Sequence, residues 1–220
     1  MSRLQFSEEQ KKIRHDVLTM SILVEENISK ALVALQTCNK ELAKETRAKD
    51  AEVNAMQIKI EDDAATIIAT QQPVARDLRE LISIFSLTSN LERIGDYAKD
   101  LAKVAQKLAK RNDSPFRAQE YLEKMAETGL NMLRGSISAF MQQDAKAARK
   151  IAEMDHIIDE KHKTLTEEVL KLMKKHPDLV KRAFQVLRTS NQLERLGDHI
   201  TNICEAIIYI VEGNREELND

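Results

Sequence analysis

An all-α protein made of two tandem antiparallel three-helix bundles is what this sequence predicts, on three grounds. Glycine occurs 5 times and proline 3 times in 220 residues, so connections are few and short. Tryptophan is absent, and leucine, alanine, glutamate and lysine dominate, which is helix-forming composition. An acidic motif is also written twice: NLERIGDYAKD at residues 90–100 and QLERLGDHITN at residues 192–202.

The first helix is expected from Ser7, with SEEQ read as a capping box. Ile13, Val17, Met20, Val24, Ile28, Ala31 and Leu35 recur at three- and four-residue steps, the buried stripe of a long helix, and the pattern falters at Cys38 and Asn39. A second helix is expected over about 40–69, carrying Val53, Met56, Ile60, Ala64 and Ile67 inward. Pro73 in TQQPV breaks it and suits the first turn of a third helix, which runs to KRNDSP. The second half reads alike. One helix is expected over about 115–142 and another over about 144–175. A last helix follows Pro177 and ends before Gly213, a natural C-terminal cap. Residues 35–50 also align without a gap on residues 140–155, matching Asp50 to Asp155 and Asn54 to Asp159. The repeats are assigned to residues 1–112 and 113–220.

Charge narrows the function. The 34 basic and 36 acidic residues leave a net charge of -2, which does not favour a nucleic-acid binder. Cys38 and Cys204 have no metal or redox spacing and sit in apolar helical patterns, so buried thiols in a reducing compartment are expected. No signal peptide is read at the start, and ICEAIIYIV is too short to span a bilayer.

The repeated motif places Glu92, Asp96 and Asp100 on a stripe apart from the apolar face of the third helix. Like charges four residues apart cost a few tenths of a kcal/mol each. Lys99 and Lys103 on the same face, solvent or a bound cation are the candidates to offset them. Folding each hairpin at its proline sets Asp50 and Asn54 level with Glu92 and Asp96. It likewise sets Asp155 and Asp159 level with Glu194 and Asp198. Where such oxygen donors converge they can hold hard cations, or ferric and zinc ions; otherwise they form a solvated acidic face with lysine partners. Gly95 and Gly197 each cost about 1 kcal/mol of helix propensity, which points to a close helix approach or to relief of crowding beside a bound ion. Arg93 and Arg195 read as surface arginines paired to nearby acids, with a partner contact as the alternative. Arg76 and Arg79 oppose the positive end of the third helix, so a salt bridge to an acid on a neighbouring helix is expected of them, with a partner surface as the alternative.

QQPVARDLR at residues 71–79, LERIGDYAKD and QLERLGDHITNI together resemble the PhoU family of phosphate-transport regulators, over nearly the whole chain. The resemblance implies two three-helix repeats with metal bound on the bundle surface through acidic E/D-x-x-x-D motifs. On this chain the first site implied is Glu92, Asp96 and Asp100 with Asp50 opposite. The second is Glu194, Asp198 and Asn202 with Asp155 and Asp159 opposite. The ion implied is divalent or trivalent: iron, zinc, manganese or magnesium. Asn54 stands where the second repeat has Asp159, and Asp100 where it has Asn202, so the two sites differ in number or affinity of ions.

The resemblance further implies a cytoplasmic, non-catalytic negative regulator of phosphate uptake and phosphate-starvation signalling. Its implied partners are the ATPase of the phosphate ABC transporter, a membrane sensor histidine kinase and a second copy of the chain, without membrane insertion of its own. Two rival readings stand beside it. One is a metal-buffering or structural bundle unrelated to phosphate. The other is a carboxylate di-iron enzyme, for which EMDH at residues 153–156 supplies one E-x-x-H element. The matching helices lack that signature, and the sequence has no phosphate loop, dinucleotide fingerprint or nucleophile elbow.

Overall fold

The computed structural model describes residues 3–109 and 118–219, and every regular element among them is helical. In chain order these are α1 (Arg3–Thr37), α2 (Lys40–Gln71), α3 (Ala75–Ala109), α4 (Gln119–Gln142), α5 (Ala145–Ala152), α6 (Asp155–Lys175) and α7 (Val180–Glu212). A 3-10 turn, Pro177–Leu179, precedes α7. α1, α2 and α3 pack on one another as the first bundle. α4, the α5–α6 arm and α7 form the second. The repeat boundary placed at 112/113 lies outside the described residues, as does the KRNDSP stop.

The stripe read from the sequence is the core. Ile13, Val17, Met20, Val24, Ile28 and Ala31 are buried, as are Leu91, Ile94, Ala98 and Leu101 of α3 and Leu193, Leu196, Ile200, Ile203 and Ile207 of α7. Cys204 is buried too, and burial pushes its thiol up to about 12; Cys38 is only half-buried.

Three helix ends depart from the expectation. α1 begins at Arg3, so Ser7 lies inside a helix and does not cap it. Phe6 packs on the core and carries the stripe two helical turns upstream of Ile13, so burial overrides the capping signal. Pro73 lies in the connector rather than in the first turn of α3. The residue before a proline is disfavoured in right-handed helix. Gln72 turns left-handed (φ 48°) to close α2, and α3 starts at Ala75. The single helix expected over 144–175 is bent after Ala152. There the hydrogen bonds tighten to three-residue steps, Met154 N–H to Ile151 C=O (3.0 Å) and Ile157 N–H to Met154 C=O (3.1 Å). The bend puts Asp155 in the first turn of α6.

The first turn of each repeat is built the same way. Cys38 (φ 51°) and Gln143 (φ 55°) take the left-handed conformation. The next amide reaches back five residues, Asn39 to Ala34 (3.0 Å) and Asp144 to Ala139 (2.9 Å). That next residue then caps the following helix: Asn39 Oδ1 accepts from Leu42 N–H, and Asp144 Oδ1 from Lys146 and Ala147 N–H, each at 3.0 Å.

α3 and α7 run antiparallel along a seam. Asn202 donates to Asn90 Oδ1 (3.3 Å), and Gln192 donates to Asp100 Oδ2 (3.2 Å). These two pairs are images of each other under the repeat. Between them Tyr97 meets its own repeat equivalent, His199, with ring centroids 5.6 Å apart. The seam is therefore an approximate twofold, with the Tyr97–His199 pair on its axis. Beyond α7 the chain turns back at Gly213 (φ 83°). Arg149 clasps Glu212 and Glu216, and Leu218 N–H donates to Glu205 Oε1 (2.7 Å), which lays the C-terminal residues along α7.

Candidate functional site

Each repeat sets two acidic residues of its third arm against the second arm, and the two arrangements carry different counter-charges. In the first repeat Glu92 and Asp96 lie on α3, with Asp50 opposite on α2. Lys99 stands among them, its Nζ 2.5 Å from Asp50 Oδ2 and 3.5 Å from Asp96 Oδ1. Arg93 pairs with Glu92 (3.7 Å) and Asp96 (3.4 Å). The Glu92 carboxyl is pushed up by burial and by Asp96. Asn54 Oδ1 is buried without a hydrogen-bond partner. Lys99, one of the offsets proposed from the sequence, is thus an ammonium ion bridging α2 and α3.

Among the described residues no cation bridges the two arms of the second repeat, and Arg195 offsets Glu194 and Asp198 only through space. Thr201 stands at the position equivalent to Lys99 and donates its hydroxyl to Asp155 Oδ2 (3.2 Å). Asp155 is 8 % exposed, and its Oδ1 is buried with no partner. Burial, then the charges of Asp159, Asp198 and Glu194, push its carboxyl up to about 7. Asp159 is raised by burial, although His162 and His156 oppose the shift. Glu194 is raised by burial, then by Asp198 and Asp159. Asp198 is raised by burial and Asp159. Arg195, the equivalent of Arg93, is exposed and makes no ion pair among the described residues.

Gly197 explains how Asp155 fits. An added Cβ there would stand 2.1 Å from Asp155 Oδ1 and 3.1 Å from Ile158 Cδ1, so the glycine leaves the space the carboxylate occupies. At Gly95 a Cβ would meet Val53 Cγ1 at 3.4 Å, an ordinary contact. Of the two helix-approach glycines, only Gly197 is required by its neighbour.

The remaining two site residues turn away. Asp100 pairs with Lys103 (2.5 Å) and with Gln192 and Arg188 of α7. Asn202 bonds Asn90 and accepts from Asn219 of the C-terminal segment (2.9 Å). Each four-residue step advances the helix face by about 40°, so two steps carry position 100 or 202 roughly 80° round, onto the seam. His199 also belongs to the seam, through Asn90 (2.8 Å) and Tyr97 (3.3 Å). His156 bonds the Glu153 carbonyl, and His162 bonds Ser190 (2.8 Å). Among the described residues no three His, Cys, Asp or Glu side chains stand close enough together to hold a metal ion as placed.

The arginines of QQPVARDLR do not make the expected ion pairs. Arg76 donates to Gln143 Oε1 (2.6 Å), and Arg79 lies over Gly213 with its Nε buried and unpartnered. The ion pair in this region joins Arg14 of α1 to the buried Glu80. Sequence reasoning missed Thr201, Arg188 and Gln192. Laying one repeat motif on the other, which aligns Lys99 with Thr201, is the signal that would have found the first of them.

A family profile, the PhoU domain, matches residues 17–105 and again residues 122–207. The chain is 36% identical over 209 residues to the phosphate-specific transport system accessory protein PhoU homolog of Pseudomonas putida, covering 95% of this chain and 81% of that protein. Its fold matches the crystal structure of PhoU from Pseudomonas aeruginosa with a TM-score of 0.91 and 33% identity, over 95% of this chain and 100% of that one. It also matches the phosphate transport system regulatory protein PhoU from Streptococcus pneumoniae with a TM-score of 0.88 and 36% identity, over 96% and 99%.

Proposed function

The chain belongs to the PhoU family, and on that premise we propose that it is a non-catalytic negative regulator of high-affinity phosphate uptake and phosphate-starvation signalling. One observation carries the reading: a protein 36% identical over 95% of this chain is named an accessory protein of the phosphate-specific transport system. Among the described residues no helix is long and apolar enough to cross a membrane. Regulation of a membrane transporter then runs through contacts with its ATPase and with a membrane sensor histidine kinase, made by a soluble body that associates as a homodimer. Co-purification tests this. The tagged chain is expected to retain the transporter ATPase from phosphate-replete cells, and deleting its gene to raise phosphate uptake. Unchanged uptake together with no ATPase recovered would overturn the proposal.

The reading includes a cation at the second acidic cluster. Its support is the buried, unpartnered Asp155 Oδ1 together with four carboxyls pushed up by burial and, in all but Asp159, by one another. A divalent or trivalent ion supplies the positive charge this cluster lacks. Asp155, Asp159, Glu194 and Asp198 would hold it, after rotation of the side chains at the rim. All four are oxygen donors, the set preferred by magnesium, manganese and ferric ions. In the first repeat, Asp50, Glu92 and Asp96 already face Lys99 and Arg93, and that set fits an added cation poorly. Elemental analysis of untagged protein reads the ion directly; metal-free protein after growth in metal-replete medium would argue against a resident cation.

A further inference from the structure

We propose that one repeat-equivalent position, Lys99 in the first repeat and Thr201 in the second, decides which acidic cluster takes a metal ion. Lys99 is a tethered cation that closes the first cluster, and Thr201 leaves the second open to a free one. The inference rests on the cation reading for the second cluster and adds the residue that determines it.

Lys99 does in the first repeat what a bound ion would do. Its single positive group touches Asp50 on α2 and Asp96 on α3, tying two helices together through their carboxylates. A group attached to the same chain competes at a local concentration on the order of millimolar or above, so a free cation must displace it before binding. The flanking basic residues strengthen the closure: Arg93 covers Glu92 and Asp96. In the second repeat no cation bridges the two arms, and Arg195 acts on Glu194 and Asp198 only through space, without an ion pair among the described residues. Thr201 is neutral and satisfies one oxygen of Asp155, while the other remains buried and unpartnered. The position equivalent to Lys103 is Glu205, whose carboxylate is committed to Leu218 N–H. Both repeats keep the motif glutamate and aspartate; the counter-charge separates them, together with Asn54 of the first repeat standing where the second has Asp159.

Reciprocal exchange tests the assignment, with Mn2+ as the probe in calorimetry and electron paramagnetic resonance. Wild type is expected to show one class of Mn2+ site, lost in Asp155→Asn and kept in Glu92→Gln. Thr201→Lys is expected to weaken that site at least tenfold. Lys99→Thr is expected to add a second class of site, and to melt lower without metal than with it. Lys99→Gln, closer in size, repeats the measurement should the threonine variant fold poorly, and the Thr201→Lys arm stands independently of both. A wild-type site that persists in Asp155→Asn but disappears in Glu92→Gln would overturn the assignment. So would unchanged stoichiometry in both Lys99 variants together with full affinity in Thr201→Lys. No Mn2+ binding by wild type at all would sink the underlying cation reading as well, so the two failures are distinguishable.

Discussion

Asp155 rests against Gly197, its Oδ1 only 2.1 Å from the point where a Cβ on that glycine would stand. A buried carboxylate has taken the space a side chain would fill, on the helix that also carries Glu194 and Asp198. The same motif position in the first repeat, Gly95, meets only Val53 and Val24.

The two glycines should therefore answer the same mutation with opposite signs. Gly95→Ala gains up to about 1 kcal/mol of helix propensity at little steric cost. Gly197→Ala must displace Asp155 and press on Ile158, an overpacking cost of about 1–3 kcal/mol that outweighs that gain. Urea denaturation of both variants checks this; equal shifts would contradict the packing described.

The raised Asp155 carboxyl sets a pH dependence in metal-free protein. Between about 4 and about 7 the folded protein holds a proton that the unfolded chain has released. Stability thus falls as pH climbs through that window and levels off above it, by at most about 1.4 kcal/mol per pH unit from this group. The raised carboxyls of Asp159, Glu194 and Asp198 act in the same direction. Denaturation across the window with chelator present should show the decline, and Asp155→Asn should flatten much of it.

Glu80 is 3 % exposed and paired with Arg14, with Gln143 donating to its second oxygen (3.2 Å). Glu80→Ala strands a half-buried guanidinium and is expected to cost about 3 kcal/mol. Glu80→Ala with Arg14→Met should recover a good part of that loss. A single mutant as stable as wild type would show that the pair contributes nothing.

Arg149 holds the C-terminal segment through Glu212 and Glu216. Those two carboxylates depress their own titration by bonding it and raise the arginine in turn. Arg149→Ala is expected to hasten proteolytic removal of the last few residues while leaving the melting temperature near that of wild type. Unaltered cleavage would mean that Leu218 on the core and Asn219 on Asn202 suffice to hold the segment.

Much of the fold was legible because burial follows the 3.6-residue period: Ile13 to Leu35 and Leu193 to Ile207 could be read straight from the stripe. The bend after Ala152 was not legible, since no glycine or proline marks it. Nor were the left-handed Cys38 and Gln143, which adopt a glycine-like conformation because the tertiary turn demands it. At the candidate site, levelling the hairpin at its proline correctly placed Asp155 near Glu194 and Asp198. Asp100, taken from the stripe, and Asn202, implied by the resemblance, lie elsewhere because four-residue spacing drifts round a helix and delivers them to the neighbouring bundle. Lys99 was visible as a candidate offset; that its repeat equivalent is a threonine mattered more than either residue considered alone.

The opposed directions of α3 and α7 also set a length scale. With 35 and 33 residues, each is a rod of roughly 50 Å. Arg79, near the Pro73 turn, lies beside Gly213 at the far end of α7. The Pro73 and Pro177 turns consequently point out of opposite poles. Two proteins gripping the two poles would be kept a fixed span apart by a stiff strut, neither touching the other, and a partner arriving at one pole would leave the other free.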